Sequence, residues 1–454
     1  MKGTIAAIST AQAPGGIGIV RISGEDALQI ADCVFQAQSG TKLIESAGYR
    51  AHYGAVVDAD GAFDEAVALV FRAPKSYTGE NVVEISCHGG VYLTQRVLRA
   101  AIRAGAALAG PGEFTRRAFL NGKMSLTSAE AVMELIGAQG AQAARCALAG
   151  REGALQRKVE SIRSTLTETA AHLAAWADFP EEEVPEVTDS ELVEHLTEVN
   201  GALEKLLAQF EAGRAIREGV DTVILGRPNV GKSTLMNLLA GCERSIVTEI
   251  AGTTRDVVEE TVRVGDVLLR LADTAGLRET DDPVEKIGVD RARGRMQTAG
   301  LILAVFDASR PLAEEDEALL AMLDGRPAVA VINKTDLEHY IDEVYIRSKV
   351  KQVVMVSAAN QSGIDRLTAA ISEVLGTSQL NPDDGMLYTE RQREAALRAK
   401  QSVQEALDAV QFGMTFDAVT VSVETAVEAL SELTGERASE AIVDSVFEQF
   451  CVGK

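Results

Sequence analysis

The stretch Gly226–Ser233, GRPNVGKS, constrains this chain more than any other part of it. It matches GxxxxGK[ST], follows the apolar run Asp221–Leu225 and opens a helix-forming segment, Thr234–Ala240. Strand, glycine-rich loop and helix start in that order let backbone N–H groups curl round a phosphate. Lys232 then reaches the terminal phosphates, and Ser233 offers a hydroxyl to Mg²⁺. Asn229, Val230, Gly231, Lys232, Ser233 and Thr234 are the candidate phosphate-binding residues.

Four further motifs follow in order. Gly252-Thr253-Thr254-Arg255-Asp256 sits where a switch loop belongs, with Thr253 in that loop and Thr254 as the candidate second Mg²⁺ hydroxyl. Asp273-Thr274-Ala275-Gly276 follows the strand-like Val267–Ala272. Asp273 can hold Mg²⁺ through water, and the Gly276 N–H can meet a γ-phosphate. Asn333-Lys334-Thr335-Asp336 ends the run Ala328–Ile332. A carboxylate at Asp336 accepts from the guanine N1–H and exocyclic amine, whereas adenine would leave it unpaired. Ser357-Ala358 suits a backbone contact to the base oxygen. Together these predict GTP as the nucleotide and hydrolysis as the reaction. Leu277 follows Asp-Thr-Ala-Gly where Ras-like enzymes carry a water-orienting Gln, so other groups must do that work. Asn229 is a candidate cation ligand beside the phosphates, and Glu285 could orient the water.

The pattern of the chain predicts a multidomain architecture. Residues 1–120 read as α+β, with strand-like runs at Gly18–Ile22, Ala66–Phe71 and Val82–Ser86 and one helical stretch near 91–105. Residues 121–215 read as an α-helical bundle, with two long helices before the acidic break Asp178–Val187 and one after it. Residues 216–378 alternate strand and helix as an α/β P-loop GTPase (Ras-like) domain, and 379–454 return to helix. The simplest arrangement is one helical domain split by an inserted α/β domain; two separate helical domains are the alternative. Hydrophobic residues make up 46%, enough for packed cores. A net charge of −23 excludes an overall basic, DNA-coating protein, so RNA would have to meet a local basic patch. Five scattered cysteines argue against a disulfide framework or zinc cluster and point to a cytoplasmic setting. No apolar run approaches a membrane span, and the N-terminus reads as strand, glycine-rich turn, strand.

The GTPase motifs of residues 219–378 resemble the translation-factor-like GTPases. The flanks resemble something narrower. TIAAISTAQAPGGIGIVRISG at the N-terminus, APKSYTGENVVEISCHGG (73–90), PGEFTRRAFLNGKMSLTSAEAV (111–132), DFPEEE (178–183) and the last four residues Cys451-Val452-Gly453-Lys454 look like the MnmE (TrmE) tRNA-modification GTPases, in order and over the full length. Cys87 departs from the Gly usual in that family before His-Gly-Gly. The resemblance implies a homodimer through the N-terminal domain and a flavin (FAD)-dependent MnmG-type partner. It implies addition of a carboxymethylaminomethyl-type group to carbon 5 of the wobble uridine of certain tRNAs. It further implies 5-formyl- or 5,10-methylene-tetrahydrofolate as one-carbon donor, held by positions matching Arg21, Glu84, Lys123 and Lys454. Potassium would be held by Asn229, Thr248, Ile250 and Thr253, with Glu285 as the water-orienting acid. Arg and Lys suit the folate carboxylates, and Glu84 the pterin donors.

Plainer readings stand beside these. Arg21 and Glu84 could be strand-face charges. Cys451 could be a small buried hydrophobe or a reactive, catalytic thiol. Arg145, Arg151, Arg157, Lys158 and Arg163 on a predicted helix could be a solvated face or an RNA groove. A ribosome-assembly GTPase acting as a GTP-timed RNA-binding module is the competing function. It is weakened by the lack of a strand-flanked GxxG loop.

Overall fold

The computed structural model describes residues 3–178, 188–241, 260–271 and 299–454. The chain divides into two compact units, Met1–Met133 with Glu428–Lys454, and Glu134–Val427.

The first unit is built on a seven-stranded sheet of β1 (Ile5–Ile8), β2 (Ile17–Ser23), β3 (Phe35–Ala37), β4 (Arg50–Asp58), β5 (Gly61–Phe71), β6 (Val82–His88) and β7 (Ala107–Leu108). Its order is β3-β4-β5-β6-β2-β1-β7, antiparallel except for the β1–β7 pair. Burial alternates along β2 and β6, so one face carries Val20, Ile22, Val83 and Ile85 into the core. The helices α1 (Ala27–Val34) and α2 (Val91–Arg103) cover that face with Leu28, Val34 and Val97. A third helix, α3 (Glu113–Leu120), follows β7. The sequence predicts one helical stretch here, and the structure has three. Both α1 and α3 are eight residues long, about two turns, too short for a 3.6-residue rhythm to stand out between glycines and prolines. The C-terminal helix Glu440–Glu448 starts at a Ser439 cap. It buries Val443 and Phe447, and just beyond it Phe450, against Leu126 and Ala129. Phe447 also meets Phe119 at 6.2 Å between ring centroids.

The remaining helices before the second sheet are α4 (Leu126–Gly137), α5 (Ala141–Arg151), α6 (Ala154–Asp178) and α7 (Asp189–Glu218). Two helices are expected between 125 and 178, and three are found. The chain turns at Gly137–Gly140 and again at Gly153, whose φ of 83° is left-handed and natural only for glycine. The expected basic face is corrected by the same break. Arg145 and Arg151 lie on α5, whereas Arg157, Lys158 and Arg163 lie on α6. Arg163 pairs with Glu160 at 2.7 Å, and Lys158 is half-buried, its ammonium pushed below its ordinary value by desolvation. Helix α7 begins with a capping box in which Thr188 and Glu191 exchange hydrogen bonds.

The second sheet has the order β13-β12-β11-β8-β10-β9, all parallel except β9–β10. Its strands are β8 (Val220–Leu225), β9 (Glu260–Val264), β10 (Val267–Leu271), β11 (Leu301–Asp307), β12 (Ala328–Asn333) and β13 (Gln352–Met355). Every residue of β11 and β12 is buried, as expected for a parallel sheet covered on both faces. One face packs on α8 (Lys232–Gly241) through Leu235 and Leu239, the other on α9 (Glu314–Met322) and α10 (Glu343–Lys349) through Leu320 and Ile346. Then come α11 (Ile364–Val374), α12 (Glu390–Gln411) and α13 (Phe416–Thr434). Helix α12 packs along α7, with Lys400 on Glu204 at 2.8 Å, so segments on either side of the sheet in sequence meet in space.

Candidate functional site

The loop after β8 takes its shape from three backbone conformations. Gly226 has φ 150°, and a Cβ there would stand 2.3 Å from the Val305 carbonyl oxygen. Gly231 has φ 96°, and its Cβ would stand 2.2 Å from Asn333 Nδ2. Asn229 is left-handed at φ 62°, a conformation asparagine tolerates. The glycines therefore allow β11 and β12 to press against the loop. Lys232 opens α8 and folds back, donating from Nζ to the Gly226 oxygen at 2.8 Å and the Arg227 oxygen at 2.7 Å. Desolvation lowers its pKa, so the ammonium gains from an anion nearby. Ser233 and Thr234 follow, both exposed at the start of α8.

Strand β12 delivers the second half of the site. Asn333 is 2% exposed and works as a brace. Its Nδ2 donates to the Val230 oxygen at 2.9 Å, and its Oδ1 accepts from Ala358 N–H at 3.0 Å. Lys334 donates to the Asn229 oxygen and to Asp307 Oδ2, both at 2.7 Å. Burial works against a charge on Asp307, but hydrogen bonds from Lys334 and Ser309 outweigh it and hold the carboxyl below its ordinary value. Ser357 Oγ donates to Asp336 Oδ1 and accepts from Asn360 N–H at 3.2 Å. Thus Asn229, Val230, Lys232, Asn333, Lys334, Asp336, Ser357 and Ala358 come together from three separate stretches of chain. Thr248, Ile250, Thr253, Thr254, Asp273, Thr274, Ala275, Gly276, Leu277 and Glu285 lie outside the described residues.

A second cluster lies in the first unit. The β2–β6 register sets Arg21 opposite Glu84. Arg21 Nε donates to Glu84 Oε1 at 2.8 Å and Nη2 approaches the same oxygen at 2.8 Å. The guanidinium lies 5.6 Å from the Tyr77 ring centroid and 5.4 Å from that of Phe114. The last residues of the chain close over it. The Gly453 oxygen accepts from Arg21 Nη1 at 3.3 Å and Ser9 Oγ at 3.1 Å. Val452 bridges Pro111, the Cys451 oxygen accepts from Gly112 N–H, and the Lys454 oxygen accepts from Phe114 N–H at 3.1 Å. Cys451 is exposed. Lys123 is tied to the neighbouring loop, donating to the Pro74 oxygen at 3.1 Å.

A family model described as "MnmE helical domain" matches residues 126–451, and one described as "GTP-binding protein TrmE N-terminus" matches residues 4–123. A protein of Geobacillus kaustophilus named tRNA modification GTPase MnmE is 45% identical, over 99% of both chains. Its namesake in Bacillus subtilis is 43% identical, over 99% of this chain and 100% of the relative. The chain belongs to the MnmE family. A solved structure of Era from Aquifex aeolicus is 25% identical, covering 40% of this chain and 66% of that one at a TM-score of 0.27.

Within this MnmE-family chain, burial separates the cysteines. Desolvation pushes the Cys87 thiol up to about 11 and raises that of Cys146, so neither is a thiolate at neutral pH. Several participants carry no signal in the sequence. Tyr77 and Phe114 lie within the family-like segments 73–90 and 111–132 but belong to no motif of their own. Asp307 and Asp316 carried no motif, one ending an apolar strand and the other in the acidic first turn of α9. Among the described residues no cluster of His, Cys, Asp and Glu could hold a metal ion, and no helix is long and apolar enough to cross a membrane.

Proposed function

We propose that this chain is a potassium-dependent GTPase that modifies tRNA, acting with an MnmG-type flavoprotein and a reduced folate on the wobble uridine. GTP hydrolysis in tRNA modification is the activity of the family to which it belongs. The observation that carries the nucleotide half is the brace at Asn333, which ties the phosphate loop at Val230 to the Ser357–Ala358 loop. One buried side chain thereby sets the phosphate-binding and base-binding loops at a fixed separation. Lys232, Ser233 and the N–H groups of residues 229–234 would hold the phosphates, and Asp336 would read the guanine edge. Mg²⁺ and K⁺, when bound, supply positive charge against that developing on the phosphates. Ser233 and Thr254 are the proposed Mg²⁺ ligands, Asn229, Thr248, Ile250 and Thr253 those for K⁺, and Glu285 orients water.

The folate half rests on the Arg21 cluster. Both Arg21 contacts fall on one oxygen of Glu84, which leaves the other for pterin N–H donors. Arg21, Lys123 and Lys454 supply the positive charge for the anionic part of folate, with Cys451 beside them. Dimerisation through the N-terminal unit is part of the same proposal. The test is calorimetric titration of 5-formyl-tetrahydrofolate beside phosphate release in potassium and in sodium at equal ionic strength. Folate binding lost in Arg21→Ala and hydrolysis that needs potassium are expected. No folate binding by the intact chain would favour the GTP-timed RNA-binding reading, and equal rates in both salts would remove the potassium assignment.

A further inference from the structure

We propose that Asp316 is a positioning residue for GTP hydrolysis, acting through Arg227 to fix where the loop carbonyls hold Lys232. The proposal rests on reading Gly226–Ser233 as the GTP site. Arg227 has two ends with different partners. Its backbone oxygen accepts from Lys232 Nζ at 2.7 Å, while its Nη1 donates to Asp316 Oδ2 at 3.1 Å. Pro228 follows, which disfavours a helical backbone at Arg227 and fixes the next φ. A side-chain anchor at Arg227 is therefore passed to its carbonyl with little slack.

Asp316 is itself firmly held. It is 5% exposed, and the same Oδ2 accepts from Ala313 N–H at 3.1 Å at the start of α9. Leu319 and Leu320 of that helix are buried in the core on the sheet's second face. The other carboxylate oxygen, Oδ1, is buried without a hydrogen-bond partner. Asp316 lines a cavity of about 10 Å³ together with Arg227, Pro228, Val230, Asp307 and Arg310, a space that suits one water. Arg227 is thus the charged partner that keeps a buried carboxylate from standing alone. The loop is pinned from two sides. Asn333 and Lys334 hold its middle at Val230 and Asn229, and Asp316 holds its first half, where Lys232 docks.

The experiment measures GTP KM and kcat for Asp316→Ala, Asp316→Asn, Arg227→Met and the double variant Asp316→Ala/Arg227→Met. A displaced loop weakens ground-state and transition-state binding alike, so Asp316→Ala should raise KM about tenfold and change kcat less than about threefold. Asn keeps an oxygen for Arg227 and Ala313, and should restore KM to within about threefold of the native value. The double variant should be little worse than Asp316→Ala alone, since the two changes share the Arg227–Asp316 interaction and the other pair of Arg227, with Glu315 at 3.8 Å, is exposed. A purely structural role would lower the melting temperature and the active fraction and leave KM unmoved. If Asp316→Ala does not fold, Arg227→Met reads the same KM shift from the more exposed partner. An unchanged KM, additive effects, or an Asn variant as poor as Ala would overturn the proposal. Lys232→Ala separates the two layers. GTP binding that survives it sinks the site itself, whereas loss there with normal KM in Asp316→Ala sinks only the positioning role.

Discussion

The two sheets of this chain make their sites in opposite ways. The parallel sheet builds its candidate site at one end, from loops that leave β8, β12 and β13, and the contacts are local to each loop or cross one strand. The antiparallel sheet builds its cluster on a strand pair, Arg21 on β2 against Glu84 on β6, and completes it with residues 451–454. A parallel sheet is buried on both faces, which leaves strand ends as the place for chemistry. An antiparallel sheet can leave one face open, and other parts of the same chain can close over it. The first kind of site depends on loop geometry and the second on a long-range contact, Arg21 with Gly453.

That contrast can be broken most severely at Lys232. Lys232→Ala should lower kcat/KM for GTP by at least about a hundredfold, as for loss of a charge that holds the phosphates in ground state and transition state alike. Folate titration of the same variant should be unchanged. A parallel loss of folate affinity would mean the two sites are not independent.

A smaller change sharpens the other side. Gly453 has φ 97°, and a Cβ there would stand 2.3 Å from the Ile8 oxygen. Gly453→Ala should displace the tail and weaken folate binding about tenfold, with GTP turnover within about twofold of normal. Unaltered folate affinity in a folded Gly453→Ala chain would detach the tail from that cluster.

Legibility in the sequence followed the same division. The phosphate loop and the Asn333–Asp336 motif are short and contiguous, because one strand–loop–helix unit carries each. The residues that support them were not legible. Asp307 and Asp316 act across elements distant in sequence, and neither residue type nor spacing marks which carboxylate faces Lys334 or Arg227. In the first unit, Arg21 and Glu84 read alone as strand-face charges, and only the family pattern placed them in a site. Their pairing follows from strand register, which a single sequence leaves open. The short α1 and α3 and the break at Gly153 are not legible because two-turn helices and single glycines leave little periodic signal.

The smallest expected effect is on pH dependence. Asp307 has its pKa lowered in the folded chain, so its stabilisation is complete above its ordinary 3.8 and is lost as pH falls through the lowered value. His88 has its pKa raised by Asp64, which accepts from its ring at 2.6 Å. Its contribution is complete below the ordinary 6.5 and is lost as pH rises through the raised value. Acid should therefore weaken the unit with the parallel sheet through Asp307, and mild alkali the first unit through His88. Hydrogen exchange resolved by segment, with Asp307→Asn and His88→Gln as controls, checks both signs. The reverse order would contradict them.

The proposed function has two chemically separate sites in one chain, with residues 451–454 serving only one of them. Deleting Cys451–Lys454 and measuring wobble-uridine modification by mass spectrometry beside phosphate release tests this most directly. Modification should be abolished while GTP hydrolysis stays within about twofold of the intact chain. Normal modification by the truncated chain would contradict it, as would loss of hydrolysis in a truncated chain whose melting temperature is unchanged.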